Sequence, residues 1–162
     1  MTIDLGIRIE KNQTTTEIYL KQSKFVVPNH WFWDEFSQNW EPETQLFFAK
    51  NLVPETDYLD IGGWVGPTAL LASALGAAKI KIIEPNPVNF FNLLITQFKN
   101  NLLSKWFLIN ACVSGVRGER IIGPLQGIKN SSSATNIRDA SQEGAKVISL
   151  KLIDLISKDD NF

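Results

Sequence analysis

With 162 residues, 44% of them hydrophobic and 20% charged, the chain has enough apolar matter for one core and enough charge for a solvated surface. A formal net charge of −1, with no clustered run of Lys and Arg, supplies no basic field for nucleic acid or anionic lipid, and a single cysteine rules out an intrachain disulfide or a cysteine zinc cluster. The apolar windows are too short for a membrane span and the opening MTIDLGIRIEKN lacks the basic-then-apolar order of a secretory signal, so a cytoplasmic protein with no nucleic-acid and no membrane partner is expected.

Alternating runs at Ile7–Glu10 and Glu17–Gln22, separated by KNQTTT, predict a β-hairpin. Trp31, Phe32, Trp33, Phe36 and Trp40 then place five aromatics in ten positions. Such a density belongs to core more often than to a binding surface, and its functional alternative is a cover over a ligand cleft. His30 beside them is the only histidine, which excludes a metal site built on two or three histidines and leaves a structural role as the expectation. Residues 1–40 thus form a hairpin and aromatic segment ahead of a main unit over 41–162, which begins with a helix over Pro42–Asn51 whose Leu46, Phe47 and Ala49 face the sheet.

In YLDIGGWVGPT, from Tyr58 to Thr68, an apolar run ends in an acid and breaks into a glycine loop that opens a helix. The strand delivers Asp60 to its carboxyl end, Gly62 and Gly66 allow a tight turn and close approach of backbone to a ligand, and Pro67 has the φ suited to a first helical position. The helix reads on to Leu75, with Gly76 placed to stop it. A βα turn without a ligand has the same spelling, and it is the next unit that points to one. KIKIIE, from Lys79 to Glu84, predicts a buried strand ending in a second acid, about 20 residues past the loop, where the acid of a nucleotide-binding fold meets the ribose hydroxyls. A carboxylate there repels a 2′-phosphate and accepts from a free diol. Asn86 and Pro87 make an N-cap and first-turn pair for a helix to about residue 100, with Phe90, Leu94 and Phe98 on its inner face and Phe91 and Ile95 widening it.

Further on, WFLINACV from Trp106 to Val113 predicts a third strand, at whose end lie Asn110 and Ala111, and Glu119–Leu125 a further one reached through Gly115 and Gly118. Cys112 sits in apolar context and is expected to be buried and inert. The stretch 129–146 is long and polar, and Ser131, Ser132 and Ser133 within it can belong to a disordered or a functional loop.

Two ligand classes fit this order, and the loop spelling separates them. A dinucleotide fingerprint ending on Gly63 and Gly66 needs glycine where the chain has Ile61. The spelling D-x-G-x-x-x-G, with Asp60, Gly62 and Gly66, instead resembles the first motif of class I methyltransferases that use S-adenosylmethionine. YLDIGGWVG, IIEPNPVNFFNLL, NNLLSKWFLINACVSG and VISLKLIDLI, in that order and spacing, resemble the FkbM-type methyltransferase family, with the E-P-N-P block Glu84–Pro87 the most diagnostic and Gly63 and Trp64 standing where the family usually has alanine and asparagine.

The resemblance implies a Rossmann-like α/β fold with parallel strands in the order 3-2-1 and flanking helices. It implies an S-adenosylmethionine site in which Asp60, Gly62, Gly63 and Gly66 pass the methionine part, Glu84 and Asn86 flank the ribose, and Asn110 and Ala111 meet the adenine. It also implies methyl transfer to an oxygen of a small molecule or sugar, with no catalytic base assignable. In the family a strand reading roughly K-I-D-x-E-G should follow VISLKLIDLI, whereas this chain ends at Asp159-Asp160-Asn161-Phe162. The expectation is therefore the N-terminal half of the fold, with the Asp60 strand at a raw sheet edge open to self-association. An inactive remnant or nucleotide-binding module is the main alternative, and a nicotinamide-dependent oxidoreductase, disfavoured by Ile61, the lesser one.

Overall fold

The computed structural model describes residues 5–38, 40–124, 135–138 and 144–156. Its N-terminal part is an antiparallel meander of β1 (Arg8–Lys11), β2 (Thr15–Leu20) and β3 (Ser23–Pro28). The expected hairpin thus has a third strand. Lys21 and Gln22, assigned by their alternation to the second strand, form the tight turn into it, with Lys21 in the left-handed region at φ 53°. Strand alternation then buries Ile18 and Leu20 from β2 and Phe25 and Val27 from β3 on one face.

Helix α1 (Phe32–Ser37) follows, and Phe32, Trp33 and Phe36 are buried in the main core, as their density suggested. Helix α2 (Pro42–Asn51) has the expected bounds, and of the expected inner residues Ala49 packs against the main core. Phe48 is the buried residue, its ring edge-on to that of Tyr58 at 5.3 Å, while Phe47 is exposed.

The site-bearing unit is a parallel sheet of β4 (Tyr58–Ile61), β5 (Ile80–Ile83) and β6 (Trp106–Ile109), connected by α3 (Pro67–Ala74) and α4 (Pro87–Lys99). β5 lies in the middle, which is why all four of its residues are buried, including Lys81. The observed order is 3-2-1, and β4 pairs only with β5 among the described residues, which leaves it at the sheet edge.

Two expectations fail in this unit. First, the run 106–113 is two strands: after β6 the chain breaks at Asn110, and β7 (Ala111–Val113) pairs with a different sheet. Asn110 makes the break by donating its side-chain amide to the carbonyls of Glu84 (2.7 Å) and Pro85 (3.2 Å), which ties the chain down where it changes partner. Second, α4 is turned away from its phenylalanines. Its buried positions are Asn89, Leu93, Thr96 and Gln97, while Val88, Phe91, Leu94 and Phe98 are exposed, Phe98 by 74%. The burial of Thr96 and Gln97 is offset by hydrogen bonds. Gln97 donates to the Trp106 carbonyl (2.6 Å), Thr96 to the Asn92 carbonyl (2.9 Å), and Asn100 both accepts from the Val26 N–H (2.7 Å) and donates to the Val26 carbonyl (2.8 Å).

A third sheet runs β7-β10-β8-β9, with β8 at Gly118–Pro124, close to the strand expected over Glu119–Leu125, β9 at Thr135–Arg138 and β10 at Ala145–Leu150. β10 is parallel to β7 and antiparallel to β8. The polar stretch 129–146 is therefore strand at both described portions, while 129–134, with the three serines, and 139–143 lie outside the described residues. Cys112 is buried and unoxidised. Helix α5 (Leu152–Ile156) closes the described chain, and its Leu155 packs in a small cluster with Ile83 and Ala111. Among the described residues no helix is long and apolar enough to cross a membrane.

Candidate functional site

The carboxyl ends of β4, β5 and β6 converge on the loop from Asp60 to Gly66. Gly62 and Gly66 have φ of 85° and 96°, the left-handed conformation that only glycine adopts without strain. The N–H groups of Gly62 and Gly63 both donate to the Ile83 carbonyl, at 2.8 and 3.1 Å, so the loop folds over the end of β5. Gly63 is needed for space: a Cβ there would come 2.2 Å from Ile82 Cγ2. A Cβ on Gly62 would meet nothing within 4 Å, so this glycine faces open space.

Glu84 holds the loop from the other side. Its Oε2 accepts from the Trp64 N–H and its Oε1 from the Asn86 N–H, both at 2.7 Å, and the Asn89 side chain also bonds to it. The carboxyl is 4% exposed, and burial raises its pKa against the opposing effect of these donors. The residue that the resemblance assigns to the ribose is thus already a staple between the glycine loop and the turn after β5. Asn86 caps α4, its Oδ1 accepting from Val88 N–H at 2.9 Å and from Asn89 N–H at 3.5 Å. The amide hydrogens of Asn110 are spent on the Glu84 and Pro85 carbonyls.

Asp60 is 6% exposed and accepts a hydrogen bond from the Thr68 hydroxyl at 2.7 Å. Burial pushes its pKa up to about 6, with only the Thr68 hydroxyl pulling the other way. Among the described residues, no cation acts on Asp60 or on Glu84. Desolvation also raises the Tyr58 phenol, helped by the Asp60 charge.

Two cavities open on either side of Ile61 and Gly62. One, of about 280 Å³, is lined by Trp40, Glu41, Asp60, Gly63, Trp64 and Thr68 among others, and so brings acids and indoles together. The other, of about 250 Å³, is lined by Ile83, Pro85, Ala111, Cys112, Val113 and Ile122 among others and is largely apolar. The cleft suits a ligand with a polar, cationic end and a flat apolar end, lying across the carboxyl edge of a parallel sheet where open α/β folds bind ligands. A wider hollow of about 580 Å³ between Leu5, Lys21, Ser23 and Ala74 lies away from those strand ends.

Of the expected site residues, Asp60, Gly62, Gly63 and Ala111 line this cleft, Gly66 caps α3, and Glu84, Asn86 and Asn110 shape it from behind. Glu41 and Thr68 were missed, whereas Trp40 belongs to the aromatic group whose functional alternative was a cover over the cleft. Thr68 had a local signal, a hydroxyl in the first turn of the helix that follows the acid. Glu41 had none, because it reaches the cleft from a separate segment.

No family model matches the chain, and no curated protein matches it. Similar solved structures include aTrm5 in complex with tRNALeu (18% identity, TM-score 0.41, covering 64% of this chain and 27% of that one). They also include a SAM-dependent methyltransferase from Agrobacterium tumefaciens (16%, TM-score 0.42, 62% and 33%). A third is the tRNA m1G37 methyltransferase of Methanocaldococcus jannaschii (16%, TM-score 0.37, 72% and 37%). The chain spans between about a quarter and two fifths of the length of these proteins. One expectation is corrected here. The expectation of a small-molecule acceptor with no nucleic-acid partner is withdrawn, because tRNA methyltransferases stand among the similar solved structures.

Proposed function

We propose that the chain is the cofactor-binding part of an S-adenosylmethionine-dependent methyltransferase of the FkbM type. The observation that carries the reading is the two-part cleft about Gly62, one half holding a buried carboxylate with no counter-cation among the described residues, the other apolar. When bound, S-adenosylmethionine supplies an electrophilic methyl on a sulfonium centre. Asp60 and the open face of Gly62 would hold its amino-acid end, and Ala111, Ile83 and Pro85 its adenine, with Glu84 fixing the loop between them. What the protein contributes is orientation and a field that favours positive charge.

The same observations weigh against a nicotinamide dinucleotide. A diphosphate needs open N–H groups at the loop, yet those of Gly62, Gly63, Trp64 and Gly66 already donate within the protein. It would also face two buried acids. Titration calorimetry with S-adenosylhomocysteine and NAD tests the proposal: the first is expected to bind in preference, and tighter binding of NAD refutes it.

A further inference from the structure

Helix α4 has an inward stripe and an outward one, and both are unusual. Asn89, Leu93, Thr96 and Gln97 are buried, and the bonds from Gln97 to Trp106 and between Asn100 and Val26 fix that rotation. The opposite stripe is therefore held outward: Val88 is 50% exposed, Phe91 61%, Leu94 38% and Phe98 74%, with Ile95 half-buried among them. From Pro87 to Phe98 the helix contains no charged residue. A helix apolar on both faces is a helix covered on both. With ~150–250 Å² for each phenylalanine when fully open, the exposed fractions of the two rings, Val88 and Leu94 present roughly 400 Å² of apolar surface per chain, a patch of functional size.

The spacing within the outward stripe points to its occupant. Val88, Phe91, Ile95 and Phe98 follow the alternating steps of a coiled-coil seam and are placed symmetrically about Leu93. Against a second copy running the other way, Val88 stands opposite Phe98 and Phe91 opposite Ile95, so each ring meets a smaller β-branched side chain, and the match holds on both sides of a two-fold axis. Two such patches bury roughly 800 Å² of apolar surface. Since about two-thirds of a homodimer interface is apolar, the whole contact is on the order of 1,200 Å², the lower bound of stable pairs. A lipid surface fits less well, because a helix lying on a membrane carries Lys and Arg along its polar face, and Lys99 is the single charge on α4. We infer that α4 is the interface of a two-fold symmetric dimer, packed antiparallel on its counterpart in a second copy of this chain.

Sedimentation equilibrium of the full chain tests this. The parent is expected to pass from monomer to dimer as its concentration rises through the micromolar range, as suits an interface of this size. Phe98→Lys is expected to stay monomeric throughout, while Phe47→Lys, at a similarly exposed phenylalanine on α2, dimerises like the parent. Val88→Glu is also expected to be monomeric. Mixing it with Phe98→Lys should restore a dimer, because the antiparallel register sets the two introduced charges against each other, and that recovery shows both variants to be folded. A dimer that survives Phe98→Lys, or mixed variants that fail to pair, overturns the inference. So does a parent that stays monomeric, and its flotation with anionic phospholipid vesicles would assign the face to a membrane instead.

Discussion

Replacing Asp60 by asparagine isolates the electrostatic character of the cleft. The carboxyl has its pKa raised from 3.8 to about 6 by burial. At about 1.4 kcal/mol per unit, the folded chain at neutral pH carries on the order of 3 kcal/mol of penalty for keeping this group ionised. The sign follows from the direction of the shift. Below pH 3.8 the group is protonated in both folded and unfolded chains and no penalty exists. As pH rises from there the unfolded chain ionises first, so stability falls until the folded group ionises near 6 and then levels off. Asparagine keeps an acceptor for the Thr68 hydroxyl and has no charge to desolvate. Urea unfolding followed by tryptophan fluorescence should therefore give Asp60→Asn a higher midpoint than the parent at pH 7.5, with the two converging at about pH 4. The variant should also bind S-adenosylhomocysteine more weakly. A stability difference that stays constant from pH 4 to 7.5 refutes the assignment of the penalty to Asp60.

Glu84→Gln replaces one accepting oxygen by a donor facing an N–H, so it should lower stability by about 1–3 kcal/mol and loosen the cofactor site, whereas Glu119→Gln, on an exposed strand position, should change neither; denaturation and calorimetry on both variants decide this. Gly63→Ala should lose about 1–3 kcal/mol by overpacking against Ile82, read from the melting temperature. Gly62→Ala meets no atom and should lose only about 1–2 kcal/mol through its left-handed backbone, but its methyl enters the open space and should abolish nucleoside binding in calorimetry. Asn100→Ala leaves the N–H and carbonyl of Val26 without their amide partner and should destabilise the fold by about 1–3 kcal/mol, with amide exchange in 23–28 accelerated.

The features that were legible in the sequence are those with local causes. An acid at a strand end, glycines that need positive φ, proline at a first helical turn and asparagine at an N-cap each act within a few residues, and β4, α3, β5 and α4 stand where they put them. What was misread depends on partners far along the chain. Phe91 and Phe98 have the spacing of a buried stripe, but the rotation of α4 is decided by Asn100 reaching Val26 and Gln97 reaching Trp106. WFLINACV is apolar enough for one strand, and only the Glu84 and Pro85 carbonyls show why Asn110 divides it. In the site, Asp60 and Gly62 were readable from their own loop. The role of Glu84 as a staple was not, because the loop N–H it accepts belongs to Trp64, and Glu41 enters the cleft from the start of α2, outside the glycine loop.

The clasp between Asn100 and Val26 also sets an order of events during synthesis. The two residues are separated by 74 positions, so on a chain growing from its N-terminus the outer strand of the meander is complete long before the amide that covers its edge exists. Through that interval β3 offers the bare N–H and carbonyl of Val26 to any extended segment nearby, including the same strand on a neighbouring nascent chain. Arrival of α4 ends the exposure, because its last turn brings the amide into place together with the helix that covers the sheet.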